Sequence, residues 1–282
     1  MKKADNRRRR EMADLGIKIL SGAAAFIGIF FLGWILWTVA RQGVAALSLD
    51  FFTKLPAPPG IAGGGLANAI VGTLIITFLA TLLGVPLGLF TGVYLSEFGR
   101  DGRFGTLVRF TMNITMGIPS IIVGLFVYTV LVLPVGHFSA YAGAVSLAII
   151  MLPVVARTTE DMLGLVPHAL REAALALGMP RWRMILSILF RAARSGLLTG
   201  ILLAVARVSG ETAPLLFTAM SSPYWMKSLA EPTANLTVTI FNYAMSPFDD
   251  WKQLAWGAAL LIMTAVLTVN ILARFLLKEK TK

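Results

Sequence analysis

Two ionisable side chains, Arg207 and Glu211, stand four residues apart inside an otherwise uncharged apolar run covering residues 197–219. A guanidinium offers a planar fork of N–H donors that matches two oxygens of an oxyanion. The carboxylate beside it repels a fully ionised anion but accepts a hydrogen bond from one that keeps a proton. Phosphate keeps one near neutral pH, and sulfate does not. The pair therefore suits phosphate, with Arg207 attracting the anion while Glu211 balances charge and disfavours sulfate. A competing reading is a self-neutralising pair that only fixes helix packing. Either way, an arginine near the bilayer midplane costs about 2.5–3.5 kcal/mol or more, so it must face protein or water. If the run is helical throughout, the spacing of four puts both groups on one face. Gly210 and Pro214 bracket the pair and weaken the helix there.

Other candidates for chemistry are weaker. The chain has no cysteine, which excludes disulfides and thiolate metal sites. His137 and His168 fall on opposite sides of the expected membrane, so they cannot share a metal. Gly63-Gly64-Gly65 lacks the Gly-Lys-Ser/Thr ending of a phosphate-cradling loop. No nucleotide-binding motif is present, so any ATP must be hydrolysed on another polypeptide. Asn113-Ile114-Thr115 and Asn235-Leu236-Thr237 match the glycosylation pattern at the level of chance. The expectation is a transport protein with no catalytic residue, metal or cofactor of its own, and not an enzyme.

The elements that position the pair follow from composition. Of 282 residues, 57% are hydrophobic and 14% charged, with a mean hydropathy of +0.77. Soluble domains carry about 25% charged residues. A helix crossing about 30 Å of hydrocarbon needs about 20 apolar residues. Six segments meet or approach that: residues 18–40, 69–95, 114–135, 138–156, 197–219 and 254–274. The fold class is therefore all-α and polytopic. The net charge of +11 orients it. Lys2, Lys3, Arg7, Arg8, Arg9, Arg10 and Lys18 fall on one side, with Arg100, Arg103, Arg109, Arg157, Arg171, Arg181, Arg183, Arg191 and Arg194. Arg274, Lys278, Lys280 and Lys282 join them, leaving Arg41, Lys54, Lys227 and Lys252 opposite. Both termini are expected in the cytoplasm. Trp34, Trp37 and Trp256 fit an interfacial belt.

The connection over residues 157–195 is too apolar for a plain linker. Pro167 suits a helix start. Val166, Leu170, Ala173, Ala174 and Leu177 make one stripe at helical spacing. Gly178 and Pro180 end the helix. Such an amphipathic helix, flanked by Arg171, Arg181 and Arg183, lies on lipid headgroups or docks into a partner's groove. The residues alone leave these two open. Glu172-Ala173-Ala174, with Gly178 six and Ile188 sixteen residues after the glutamate, resembles the EAA loop of binding-protein-dependent ABC-importer permeases. Phe190-Arg191 stands where that pattern usually has Leu-Pro. Further blocks resemble the phosphate-specific branch of that family. They are Gly63-Gly64-Gly65-Leu66-Ala67-Asn68, Gly117-Ile118-Pro119-Ser120, Arg157-Thr158-Thr159-Glu160, Gly210-Glu211-Thr212-Ala213-Pro214 and Ser246-Pro247-Phe248-Asp249-Asp250-Trp251.

The resemblance implies a type I ABC-importer permease fold (MetI-like) in the bacterial inner membrane. It implies that Glu172, Ala173, Ala174 and Gly178 touch a cytoplasmic ATPase dimer, which binds ATP and Mg. It also implies a homologous permease subunit and a periplasmic phosphate-binding protein as partners, with lipid around the spans and no nucleic acid. Residues 1–60 then form a basic cytoplasmic head, the first span and a periplasmic linker, and residues 61–277 a five-span core. Residues 221–253 read as a structured outer loop that touches the binding protein. Open alternatives are a permease for sulfate, molybdate or phosphonate, or an ATP-independent anion channel or transporter. A non-transporting scaffold would leave the intramembrane charges without purpose.

Overall fold

The computed structural model describes residues 2–61, 63–100 and 102–276, with side chains between Arg10 and Leu272. The tail lysines Lys278, Lys280 and Lys282 lie outside the described residues, as do the side chains of Lys2, Lys3, Arg7, Arg8, Arg9 and Arg274. Among the described residues every regular element is a helix, and the one β-bridge pairs Pro56 with Gly64. In chain order the helices are α1 (Lys2–Val44), α2 (Leu49–Thr53), α3 (Ala67–Glu97), α4 (Arg103–Gly117) and α5 (Ser120–Val135). There follow α6 (Ala140–Gly164), α7 (His168–Ala176), α8 (Arg181–Ala192), α9 (Arg194–Ser209), α10 (Ala213–Leu216), α11 (Leu236–Ala244) and α12 (Asp249–Leu276).

Helices α1, α3, α6 and α12 are each long and apolar enough to cross a bilayer unaided. The pairs α4–α5 and α8–α9 pass the same test together but are bent by 103° and 79°. Counting each bent pair once gives the six spans expected from hydropathy. Three boundaries differ from the expectation. The third span is not a straight helix over 114–135, because Pro119 removes a backbone donor and holds Ile118 extended at ψ 131°. The fourth helix continues past Ala156 to Gly164, so Arg157, Glu160 and Asp161 belong to its last turns and not to a loop. The fifth stops at Ser209 instead of continuing to Ala219.

Lipid tails are as apolar as leucine, so helices in a membrane gain by close van der Waals approach. The most extensive packing, α3 against α6, shows how. Ala80, Gly84, Gly88 and Gly92 recur every four residues on one face of α3, all buried. A Cβ added to Gly88 would come within 2.7 Å of Val155 Cβ, and one on Gly92 within 2.5 Å of the Ala156 carbonyl oxygen. The ridge of α6 thus lies against bare backbone. Around it Ile76, Leu147, Met151, Val208 and Leu215 close the main core. By contrast, among the described residues α1 meets the rest near its far end, where Gly43 lies against Leu260 of α12.

The end of the bundle holding α2 and α11 is fixed by backbone hydrogen bonds. Gly65 N–H donates to Leu55 O at 3.0 Å and Leu66 N–H to Phe51 O at 2.8 Å. The triple glycine therefore lets chain approach chain. Asn235, fully buried, caps α11 by accepting from Val238 N–H at 2.9 Å. The motif that looks like a glycosylation acceptor is a helix cap.

Gly88→Leu is expected to destabilise the folded chain by about 1–3 kcal/mol through overpacking, lowering its unfolding midpoint in detergent. Gly28→Leu, in a part of α1 with nothing within 4 Å of the added carbon, should leave the midpoint unchanged.

Candidate functional site

Two breaks in helical backbone build the first site. At the end of α9, Gly210 N–H donates to Arg207 O at 3.3 Å and Glu211 N–H to Val208 O at 3.1 Å. These tightened bonds finish the helix and place Glu211 beyond it. The one-helix-face argument for the pair therefore does not hold. The two residues nonetheless meet, because the chain turns into α10 and both line one cavity of about 230 Å³. The opposite wall is the α4–α5 break, with Thr115, Ile118, Pro119 and Ser120; Ile150 and Val154 of α6 complete it. Ser120 opens α5, so the positive end of that helix borders the same space as the Arg207 guanidinium.

The cavity walls are clamped from behind. Thr237 Oγ1 on α11 donates to Glu211 O at 2.9 Å. Gly124 of α5 meets Pro214 of α10 so closely that a Cβ would come within 2.6 Å of Pro214 Cα. Buried Thr218 Oγ1 donates to Pro214 O at 2.8 Å. Among the described residues no ion pair joins Arg207 to Glu211, and neither side chain has another partner. The self-neutralising reading thus lacks its bond. Arg207 is exposed on the outside of this single chain and Glu211 is half-buried.

The second site lies at the other end of the bundle. Helix α7 follows Pro167 and ends as Gly178 enters the left-handed region at φ +74°, its N–H donating to Leu175 O at 2.9 Å. The apolar stripe read from the sequence divides in two. Val166 and Ala174 turn inward onto Leu163, Met184, Ile185 and Leu189, while Leu170 and Leu177 are exposed. Glu172, Ala173 and Gly178 face outward too. Of the four residues that the resemblance assigns to the ATPase contact, Ala174 is the one packed away, at 3% exposure.

Arg171 is a correction of another kind. Expected on the flank of α7, it is buried, with Nη2 2.9 Å from Glu97 Oε1 at the end of α3. Its guanidinium also donates to Val166 O at 2.5 Å and Leu163 O at 2.8 Å. It thereby satisfies carbonyls left free where α6 ends. Arg109 of α4 does the same for α3. Its Nε lies 2.6 Å from Glu160 Oε1, and it donates to Leu95 O at 3.0 Å and Gly99 O at 3.1 Å. No local pattern pointed to the ion pairs of Glu97 and Glu160, because their partners lie 74 and 51 residues away. His168 is held at 2.9 Å by Arg100, and His137 is exposed beside Phe138 O.

A third feature, at the α11 end, is a hollow of about 660 Å³ bordered by Pro56, Asn68, Tyr224, Tyr243 and Trp251. Tyr243 stacks on Trp251 with ring centroids 4.3 Å apart. Burial pushes its phenol up to about 12, so it stays neutral at physiological pH. The segment expected as a structured outer loop is tied down here, with Asn68 Nδ2 donating to Ser222 O at 2.9 Å.

Comparison with known proteins identifies the family and the fold. A family described as binding-protein-dependent transport system inner membrane component matches residues 84–282. The chain is 52% identical over 262 residues to the phosphate transport system permease protein PstA of Yersinia pestis, covering 93% of this chain and 89% of that one. It is 51% identical over 261 residues to the same-named protein of Haemophilus influenzae, covering 93% and 92%. Among solved structures, an inward-facing form of the MetNI methionine ABC transporter superposes with a TM-score of 0.65 at 20% identity. That match covers 77% of this chain and 96% of that one.

Removing one partner of a buried ion pair costs about 3–5 kcal/mol. Arg171→Met or Glu97→Gln is therefore expected to loosen α7, read as faster proteolysis between α6 and α8. The double variant should be less damaged than the two single effects added together.

Proposed function

This chain belongs to the PstA family of phosphate-transport permeases, and from that membership we propose that Arg207 and Glu211 contact phosphate in a pathway shared with a second permease subunit. It is the membrane-spanning permease subunit of a phosphate ABC importer, a multi-pass protein of the inner membrane and not an enzyme. The observation that carries the pathway reading is the exposure of Arg207 on the surface of one chain. A guanidinium in a spanning helix needs water, protein or an anion. Among the described residues it has no partner, and in this reading its face lines a wet path closed by another subunit. The α5 N-terminus and Ser120 add donors to the same cavity.

In this reading the guanidinium fork donates to two phosphate oxygens, and the O–H that phosphate keeps donates a hydrogen bond to Glu211. Sulfate, with no proton to offer, meets an uncompensated carboxylate. A homologous permease supplies the other half of the path. A periplasmic phosphate-binding protein delivers substrate at the α11 end, where the aromatic hollow opens. Two copies of a cytoplasmic ATPase bind ATP and Mg at the opposite end, beside α7. Both termini lie on that side, following the basic residues. Residues 1–60 act as head, first span and linker to the core at 61–277.

Glu172, Ala173 and Gly178, with Leu170 and Leu177, form the surface offered to the ATPase. Closure of the ATPase on ATP moves α7. The Arg171–Glu97 and Arg109–Glu160 clamps carry that motion to α3, α4 and α6. The helices then rearrange around the anion site so that each side is open in turn, with ATP favouring one of the two states.

Arg207→Gln is expected to reduce uptake of radiolabelled phosphate about 100-fold, the scale of two charge-assisted hydrogen bonds, while the ATPase still co-purifies. Normal uptake would refute the assignment. Glu211→Gln should keep most phosphate uptake but let excess sulfate compete more strongly than it does with the unaltered importer.

A further inference from the structure

The carbonyl oxygen of Glu211 stands where the chain cannot supply its usual partners. Past a helix end, a carbonyl is ordinarily closed by the N–H three or four residues on. Three residues on is Pro214, which has no N–H. Four residues on is Leu215, whose N–H donates to Thr212 O at 3.1 Å. The bond comes instead from 26 residues away, from Thr237 Oγ1 at 2.9 Å. Buried Thr237 is the second residue of α11, so no carbonyl of its own helix lies four residues back to take the hydroxyl. Such carbonyls do take it from Thr158, Thr199 and Thr264.

The Thr237 hydroxyl has one proton to give, and two oxygens lie within reach, Glu211 O and Asn235 Oδ1 at 3.0 Å. Asn235 Oδ1 is already served by Val238 N–H at 2.9 Å. The Glu211 carbonyl has no second donor among the described residues. The same end of α11 also holds the far side of the turn. Asn235 Nδ2 donates to Met220 O at 3.1 Å, and Thr233 N–H to Ala219 O at 3.0 Å. Met220 is in the left-handed region at φ +57°, uncommon for a residue with a side chain. The turn from Glu211 to Met220, which includes α10, is thus tied at both ends to one helix start.

Glu211 borders the Arg207 cavity from this turn, and the bond from Thr237 fixes the peptide attached to its Cα. We propose that Thr237 is a positioning residue for anion selection: by holding the Glu211 carbonyl it keeps the Glu211 carboxylate beside the anion on Arg207. This rests on the reading of Glu211 as the group that accepts a hydrogen bond from phosphate and repels sulfate. Without the hydroxyl, a part-buried carbonyl is left unpaired and turns to find water. The peptide rotates with it. The carboxylate then leaves the place from which it tells the two anions apart. A serine keeps the donor and so keeps the discrimination.

The test uses the intact importer in sealed vesicles with its phosphate-binding protein. Sulfate is present on both faces, so that it reaches the cavity without being delivered. The quantity read is the sulfate concentration that halves uptake of radiolabelled phosphate. Thr237→Val, which keeps the shape and removes the hydroxyl, is expected to lower it about tenfold, the scale of one hydrogen bond. Thr237→Ser should stay within about twofold of the unaltered importer. Glu211→Gln should lower it at least as far as the valine, and the two changes together no further than Glu211→Gln alone, since both act through one carboxylate. A packing role alone would reduce the rate or the amount of importer and leave this concentration unchanged. No change in Thr237→Val while Glu211→Gln lowers the concentration overturns the proposal and leaves the reading of Glu211 intact. No change in Glu211→Gln defeats that reading and the proposal with it. A loss in Thr237→Ser equal to that in the valine variant overturns the proposal too. Should the valine variant not assemble, Thr237→Cys, whose thiol donates weakly, takes its place, and discrimination equal to that of the serine variant overturns the proposal.

Discussion

A guanidinium set into a membrane-spanning segment cannot be left against hydrocarbon, and this demand shapes the chain around Arg207. The helix bearing it ends two residues later. The facing span is broken at Ile118 and Pro119, so that Ser120 and the start of α5 look into the same space. Breaks of this kind are tolerated at membrane depth where other groups satisfy the freed backbone or where a cavity is lined. Both conditions are met. Thr237 takes the Glu211 carbonyl and Thr218 the Pro214 carbonyl, while Gly124 lets α5 lie directly on Pro214. The cavity beside Arg207 is an opening in an otherwise tightly packed bundle.

The opposite end obeys a different rule. There the arginines Arg109 and Arg171 are drawn inward, each binding a carboxylate, with three backbone carbonyls on Arg109 and two on Arg171. Each guanidinium thus closes a helix end that would otherwise leave acceptors unpaired. The consequence is mechanical. Helix α7 is short and could not be stable alone, yet it is bolted through Arg171 to α3 and α6, the best-packed pair in the molecule. Force applied to its outer face has a stiff route to the spans that border the Arg207 cavity. Ile150 and Val154 lie on α6 only a few turns from its clamped end.

Much of this was legible from the residues. Hydropathy located the four straight spans and the two bent pairs, and Pro167, Gly178 and the EAA pattern located α7 and its ends. Hydropathy registers how apolar a segment is, not which way it points. It therefore ran straight through the 103° bend, although Pro119 marked the place. It likewise carried the fifth helix past Ser209, although Gly210 and Pro214 were noted as weak points. Arg207 and Glu211 were rightly singled out as neighbours, but for a helical reason that fails; the turn into α10, not the helix period, puts them on one cavity. The inward rotation of Arg171 and Ala174 depended on Glu97 and on α8, which no local pattern connects to α7. Helical spacing identified the stripe on α7 and could not say which half of it faced a partner.

The central claim is that Arg207 faces water shared with a second subunit and not lipid. Because the chain has no cysteine, Arg207→Cys gives a single thiol whose surroundings can be probed in the assembled importer. A small water-soluble methanethiosulfonate carrying an ammonium group should react with it, should be slowed by added phosphate, and should restore part of the lost uptake by returning a positive charge. A neutral reagent of the same size should react without restoring it. Failure of the charged reagent to react, while a lipid-soluble maleimide labels the thiol, would place the guanidinium against hydrocarbon and contradict the account.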